Sequence, residues 1–255
     1  MLSSLAKLTQ KKFRREEGRY LIEGTHLVAE ALACTAPVEA ILATAEAAER
    51  PECAELLRKA GSMRIPLYAV SAREADRLAD AVTAQGILAV VAMKKNDIDA
   101  FWPECDAPAI VIALEHVSDP GNAGTVIRTA AWFGAHAVLL SAASVELYNP
   151  KVLRSTQGAV FQIPVFDGVE FDSALEDARS NGFQVVVTAL EGGKPFDRKQ
   201  LGPKTLLVFG SEADGVSDAT LRSADRIVTI PRFGHGESLN VASSCAAILG
   251  SVRLP

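Results

Sequence analysis

Several things are scarce or missing in this chain of 255 residues, and each absence narrows what it can be. There are four cysteines, Cys34, Cys53, Cys105 and Cys245, far apart and with neither a C-x-x-C pair nor a Cys/His metal spacing. They read as reduced thiols of a cytoplasmic protein, and no metal is expected. No apolar run reaches the roughly 18 residues that a membrane helix needs. Lys7, Lys11, Lys12, Arg14 and Arg15 break up any signal-peptide core. Neither sign of charge dominates: 26 Lys and Arg against 31 Asp and Glu leave a net charge of −5. That excludes a chain coated in basic residues but leaves room for a local basic patch. The sequence holds no G-x-G-x-x-G dinucleotide fingerprint after the first strand of either block, no Walker A loop and no G-x-S-x-G nucleophile elbow. His26, His116, His136 and His235 are scattered, so neither a zinc cluster nor a Ser-His-Asp set is visible.

What is present is apolar material for a large core, with 49% hydrophobic and 22% charged residues. Residues 1–93 alternate helix and strand patterns: a polar helix over 3–17, then strands near 19–24, 38–44, 66–70 and 83–92 separated by helices. A polar, Pro-bearing stretch, 94–108, is the expected linker. From 109 to 255 the alternation resumes with short strands rich in Val, Ile and Leu at 109–114, 136–140, 183–188, 205–209 and 226–230. Such runs belong to strands buried on both faces, so the second block is expected to be an α/β domain with a mostly parallel sheet. Its helices are expected at 122–133, 150–157, 170–181, 217–223 and 238–250.

Three loops at strand ends carry the chemistry. Asp119-Pro120-Gly121-Asn122 is turn chemistry in which Asn122 can cap the following helix, with Gly124 and Arg128 beyond it. Gly210 and Gly215 bracket Glu212 and Asp214 after a buried strand, and Glu212 is placed to orient a cation such as Arg128. Ile230-Pro231 leads through Gly234 and Gly236 to Glu237-Ser238-Leu239-Asn240, where a helix opens with Ser238 and Asn240 beside free backbone N–H groups. Helix capping by Ser238 accounts for Ser238 but not for Glu237, Asn240 or the two glycines.

Together, in order and spacing, these loops resemble the three signature motifs of the SpoU (TrmH-type) RNA ribose 2′-O-methyltransferases over residues 109–251, and the stretch 149–164 resembles the family's middle segment. The N-terminal block resembles the family's L30e-like substrate-binding domain through Arg19-Tyr20-Leu21-Ile22-Glu23-Gly24 and Gln85-Gly86-Ile87. The resemblance implies an α/β trefoil-knot domain, one of the rare threaded folds. It also implies S-adenosylmethionine as cofactor and a homodimer whose site is completed across the interface. By motif position, Gly210, Ile230 and Leu239, with Thr188 or Ala189 nearby, would hold the cofactor, and Asn122, Arg128, Glu212, Ser238 and Asn240 would form the reactive set. The family's base would be Arg128. A free guanidinium, however, loses its proton only above pH ~12, which makes a neutral one near pH 7 cost on the order of 7 kcal/mol. An electrostatic clamp on phosphate and developing alkoxide is therefore the rival role.

RNA needs cations, and Lys11, Lys12, Arg14, Arg15 and Arg19 cluster near the N-terminus, with Arg154 and Lys151 expected near the site. The implied substrate is 23S ribosomal RNA ahead of tRNA. Two other readings stay open: a catalytically inactive RNA-binding or ribosome-assembly factor of the same fold, and a small-molecule α/β enzyme.

Overall fold

Alternation with a period of two organises the N-terminal residues around a four-stranded sheet. The structure is a computed structural model that describes residues 2–80, 84–94 and 96–253. Its chain runs through α1 (Leu2–Leu5), a 3-10 turn, α2 (Lys11–Glu17), β1 (Arg19–Glu23), α3 (Thr25–Ala33), β2 (Val38–Ala43), α4 (Ala45–Glu49), α5 (Pro51–Ser62), β3 (Leu67–Ala69), α6 (Ala72–Leu78) and β4 (Ile87–Ala92). The strands lie in the order β1-β4-β2-β3, antiparallel except for the β2–β3 pair. Ile41, Ile87, Ala89 and Val91 face one core with Val28, Leu32 and Cys53 from the helices. Their neighbours Leu42, Leu88 and Val90 face a second core with Leu5, Leu8 and Leu78. Both faces of β4 are thus buried, and Pro51, at the first position of α5, divides the expected 45–60 helix into two. Thr83, the expected start of the fourth strand, lies outside the described residues.

The remaining elements are α7 (Ile98–Glu104), β5 (Ala109–Leu114), α8 (Pro120–Trp132), β6 (Ala137–Ser141), α9 (Pro150–Thr156), β7 (Val165–Val169), α10 (Phe171–Ser180), β8 (Gln184–Thr188), β9 (Lys194–Pro195), β10 (Lys204–Phe209), α11 (Asp218–Arg222), β11 (Arg226–Thr229) and α12 (Val241–Arg253). All but α9 build a seven-stranded sheet and its helices, in the order β7-β6-β5-β10-β8-β11-β9, with every neighbouring pair parallel. Every residue of β5 and β6 is buried, the pattern of strands covered on both sides. β7 and the two-residue β9 escaped the sequence reading because Asp167, Gly168 and Pro195 break the apolar pattern.

Two boundaries differ from expectation. The expected linker 94–108 carries a helix within it: Asp97 Oδ1 accepts from Asp99 N and Ala100 N to start α7, whose Trp102 is buried in the core beneath the parallel sheet. Contacts also divide the chain into units of residues 1–95 with 148–162 and residues 96–147 with 163–255, so the segment carrying α9 belongs with the first sheet. There Leu153 joins the first core and Tyr148 stacks on Tyr20 with ring centroids 4.4 Å apart.

Candidate active site

Three neighbouring parallel strands, β10, β8 and β11, end at Phe209, Thr188 and Thr229, and the segments that follow them enclose one cleft of about 630 Å³. Ligands of open α/β sheets bind at such carboxyl ends, and the volume is that of a small-molecule site. Thr188, Ala189, Gly210, Ile230 and Leu239, the five positions expected to face a cofactor, all line it.

The wall after β10 is a tight return. Ser211 N donates to Gly215 O and Gly215 N to Ser211 O, both at 3.0 Å. Side chains are excluded where the return closes, since a Cβ on Gly210 would sit 2.1 Å from the carbonyl carbon of Gly215. Glu115, buried at the end of β5, anchors the far side of this return: it accepts from Ser217 N and from Thr220 Oγ1, each at 3.0 Å. Nothing in the sequence singled out Glu115, because a carboxylate at a strand end reads as a solvated turn residue until its donors are seen.

The three loops meet at one carboxylate oxygen. Asn122 Nδ2 donates to Glu212 Oε1 at 2.8 Å, Asn240 Nδ2 donates both to that oxygen and to Asn122 Oδ1, and Val241 N approaches it at 3.4 Å. Glu212 therefore binds the two asparagines rather than Arg128 as expected. The Arg128 side chain is exposed on α8 and makes no hydrogen bond or ion pair with any described residue. Two caps are also reassigned. Asp119 Oδ1, not the Asn122 side chain, starts α8 by accepting from Asn122 N at 2.8 Å. Asn240 Oδ1, not Ser238, starts α12 by accepting from Ala242 N and Ser243 N, so the helix begins at Val241. Ser238 stays exposed and lines the cleft.

The basic residues divide. Lys11, Lys12 and Arg15 are exposed on α2, and Lys7 and Lys12 lie 5.3 and 5.9 Å from the centroid of the Phe13 ring. Arg14 is not a surface cation as expected: it is 3% exposed, with its guanidinium on the carbonyls of Leu8 and Thr9. Arg19 is held by Glu17 at 2.7 Å and Glu39 at 3.6 Å. Arg154 pairs with Asp80 at 2.8 Å within the first unit, so it does not belong to the unit that carries the cleft.

Residues 109–250 match the model of the SpoU rRNA Methylase family, and residues 2–89 match an MRM3-like substrate binding domain. The chain belongs to the SpoU rRNA methylase family. Among its relatives is the 23S rRNA (guanosine(2553)-2′-O)-methyltransferase RlmP of Bacillus subtilis, 34% identical over 97% of this chain and 93% of that protein. Two solved structures superpose with a TM-score of 0.86. One is the SpoU methyltransferase AviRb from Streptomyces viridochromogenes in complex with AdoMet, 26% identical over 98% of this chain and 96% of that one. The other is an AdoMet-bound rRNA methyltransferase from Sinorhizobium meliloti, 25% identical over 99% of this chain and 93% of that one.

The cleft of this SpoU protein suits S-adenosylmethionine, the family's cofactor. Its lining joins apolar side chains such as Val216, Leu221 and Ile230 to four carboxylates, Glu191, Glu212, Asp214 and Glu237, with Arg232 the one lysine or arginine among them. A sulfonium with an ammonium group is cationic, and an acidic rim favours it. Among the described residues no group of three His, Cys, Asp or Glu is placed to hold a metal ion, and no helix is long and apolar enough to cross a membrane.

Proposed function

We propose that this protein transfers the methyl group of S-adenosylmethionine to a ribose 2′-hydroxyl of 23S ribosomal RNA, acting in the cytoplasm as a homodimer whose site is completed across the interface. The observation that carries the reading is the convergence on Glu212 Oε1 of Asn122 from the first loop and Asn240 from the third, at the edge of the cleft. Relatives named for 2′-O-methylation of 23S rRNA and as an RNA 2′-O ribose methyltransferase support both the reaction and the substrate.

When bound, S-adenosylmethionine supplies an electrophilic methyl group. The protein's residues hold the acceptor. Glu212, with both asparagines on one oxygen, keeps the three loops in register, and positioning of this kind supplies much of the rate of a group transfer. Ser238, exposed on the cleft wall, orients the ribose through its Oγ. Arg128, exposed and without a partner among the described residues, is available to bind the phosphate beside the target and to stabilise the alkoxide as the hydroxyl proton passes to solvent water. That clamp keeps the guanidinium charged, which the alternative of Arg128 as base does not. Lys7, Lys11, Lys12 and Arg15 offer the first unit a basic face for RNA backbone.

The dimer has its own support. Thr125, Arg128 and Trp132 are exposed along one stripe of α8, and Trp132 is 83% exposed. An aromatic anchor left open next to a proposed catalytic cation suits a face covered by a second copy.

The test is transfer of labelled methyl to 23S rRNA and to tRNA, with the product mapped at nucleotide resolution. One 2′-O-methyl in 23S rRNA is expected. Methylation confined to tRNA would move the substrate, and RNA binding without transfer would favour an assembly factor. Arg128→Ala should lower kcat by about 10²-fold or more with cofactor affinity unchanged; unaltered transfer would remove Arg128 from the mechanism.

A further inference from the structure

Phe233 is 98% exposed, and it stands on the wall of the cleft. Both faces of its ring are open to solvent. The turn that presents it is closed by its own contacts. Arg232 Nη1 donates to Gly236 O at 2.6 Å, and Gly236 sits at φ +142°, where other residues are rarely found. The aromatic ring is thus held outward by a hydrogen-bonded turn, next to Arg232 and two residues from His235.

We propose that Phe233 is a stacking platform for a nucleobase of the RNA substrate, next to the ribose that receives the methyl group. The inference rests on the methyl-transfer reading above. An acceptor hydroxyl that reaches the mouth of the cleft brings its own base and its neighbours to this wall. Glu191, Glu212, Asp214 and Glu237 repel phosphate there, so a base must face the wall, and an aromatic plane beside an arginine is the chemistry that holds an unstacked base. A ring seated on the cofactor would have its back against protein, whereas this one has both faces free.

Steady-state methyl transfer to 23S rRNA separates the possibilities when run on Phe233→Ala, Phe233→Leu and Phe233→Trp, with cofactor affinity by calorimetry and elution volume measured on each. Alanine and leucine should raise the KM for RNA about tenfold, while tryptophan keeps it near the starting value, since any base stacks on any aromatic plane. Cofactor affinity and oligomeric state should not move. An unchanged KM, or leucine serving as well as phenylalanine, overturns the proposal. Weakened cofactor binding would assign the ring to the cofactor, and a shift to monomer would assign it to the second copy; either outcome also overturns it. If the unaltered protein binds cofactor yet methylates neither rRNA nor tRNA, the methyl-transfer reading has failed before any variant is compared, and the inference falls with it.

Discussion

Asn240 uses the two ends of one amide for two purposes. Its Oδ1 accepts from Ala242 N and Ser243 N and starts α12, and its Nδ2 ties that helix start to Asn122 and Glu212. Substitution can separate the two. Asn240→Asp retains a capping oxygen but removes both donors and sets a second carboxylate against Glu212. Its melting temperature should stay near that of the unaltered protein, while methyl transfer falls by on the order of 10²-fold, the cost of misplacing reacting groups. Asn240→Ala should lose transfer similarly and, in addition, about 1 kcal/mol of stability with the cap. Equal activity in Asn240→Asp would show that the donors do not matter. A different residue governs the alkaline limit. Burial pushes the Cys245 thiol up to about 12, and burial also raises Tyr20. A group whose folded value is raised stabilises the fold while it stays protonated, and that contribution is lost as pH rises above the unfolded value. For Cys245 the window runs from about 9.0 upward to about 12. Thermal melts should therefore fall across that window, and Cys245→Ala should flatten part of the slope. A melting temperature constant from neutral pH to pH ~11 would contradict this.

At the scale of elements, the return after β10 depends on a missing side chain. In Gly210→Ala the new Cβ would meet the Gly215 backbone at 2.1 Å, and no flexible side chain is there to give way. The return must open and draw Glu212 away from Asn122 and Asn240. Cofactor affinity by calorimetry should drop by roughly tenfold or more, about 1.4 kcal/mol, while the sheet, which ends at Phe209, melts nearly as before. Unaltered affinity would mean that the return does not shape the cofactor wall. The legibility of the sequence follows the same line between local and distant causes. β5, β8 and β10 were visible because strands covered on both faces carry an unbroken buried apolar run, residues 109–114, 185–187 and 206–209. The three loops were visible because turn and cap residues carry their own local chemistry. What those loops do to one another was not: Glu212 was expected to face Arg128 and instead takes Asn122 and Asn240, a choice made by tertiary approach across 90 and 28 residues of sequence. Burial was equally hidden at Arg14, which shares a run with Lys11, Lys12 and Arg15 yet turns inward to the carbonyls of Leu8 and Thr9.

At the scale of the whole molecule, the chain does not divide where its composition changes. The methylase match covers 109–250, but residues 148–162 inside it complete the core of the first unit. Leu153 is 1% exposed there, Tyr148 stacks on Tyr20, and Val160 and Phe161 pack against the same cluster. Gly158 fixes the approach: it lies at φ +89°, and a Cβ on it would come within 2.4 Å of the Glu30 side chain. Gln162 Nε2 then donates to Glu30 Oε2 at 2.9 Å. Burying Leu153 alone is worth about 1.5–3 kcal/mol, a large part of the roughly 5–15 kcal/mol that stabilises a domain. A fragment of residues 1–95 should therefore melt early and with poor cooperativity. A peptide of residues 148–162 supplied in trans should raise its melting temperature in proportion to the logarithm of peptide concentration once the site fills, as expected for a ligand that binds only the folded state. The same peptide carrying Leu153→Ala should bind more weakly by on the order of 2 kcal/mol or more. If the 1–95 fragment unfolds cooperatively and ignores the peptide, the first unit is complete without the segment, and Leu153 and Tyr148 merely cover its surface.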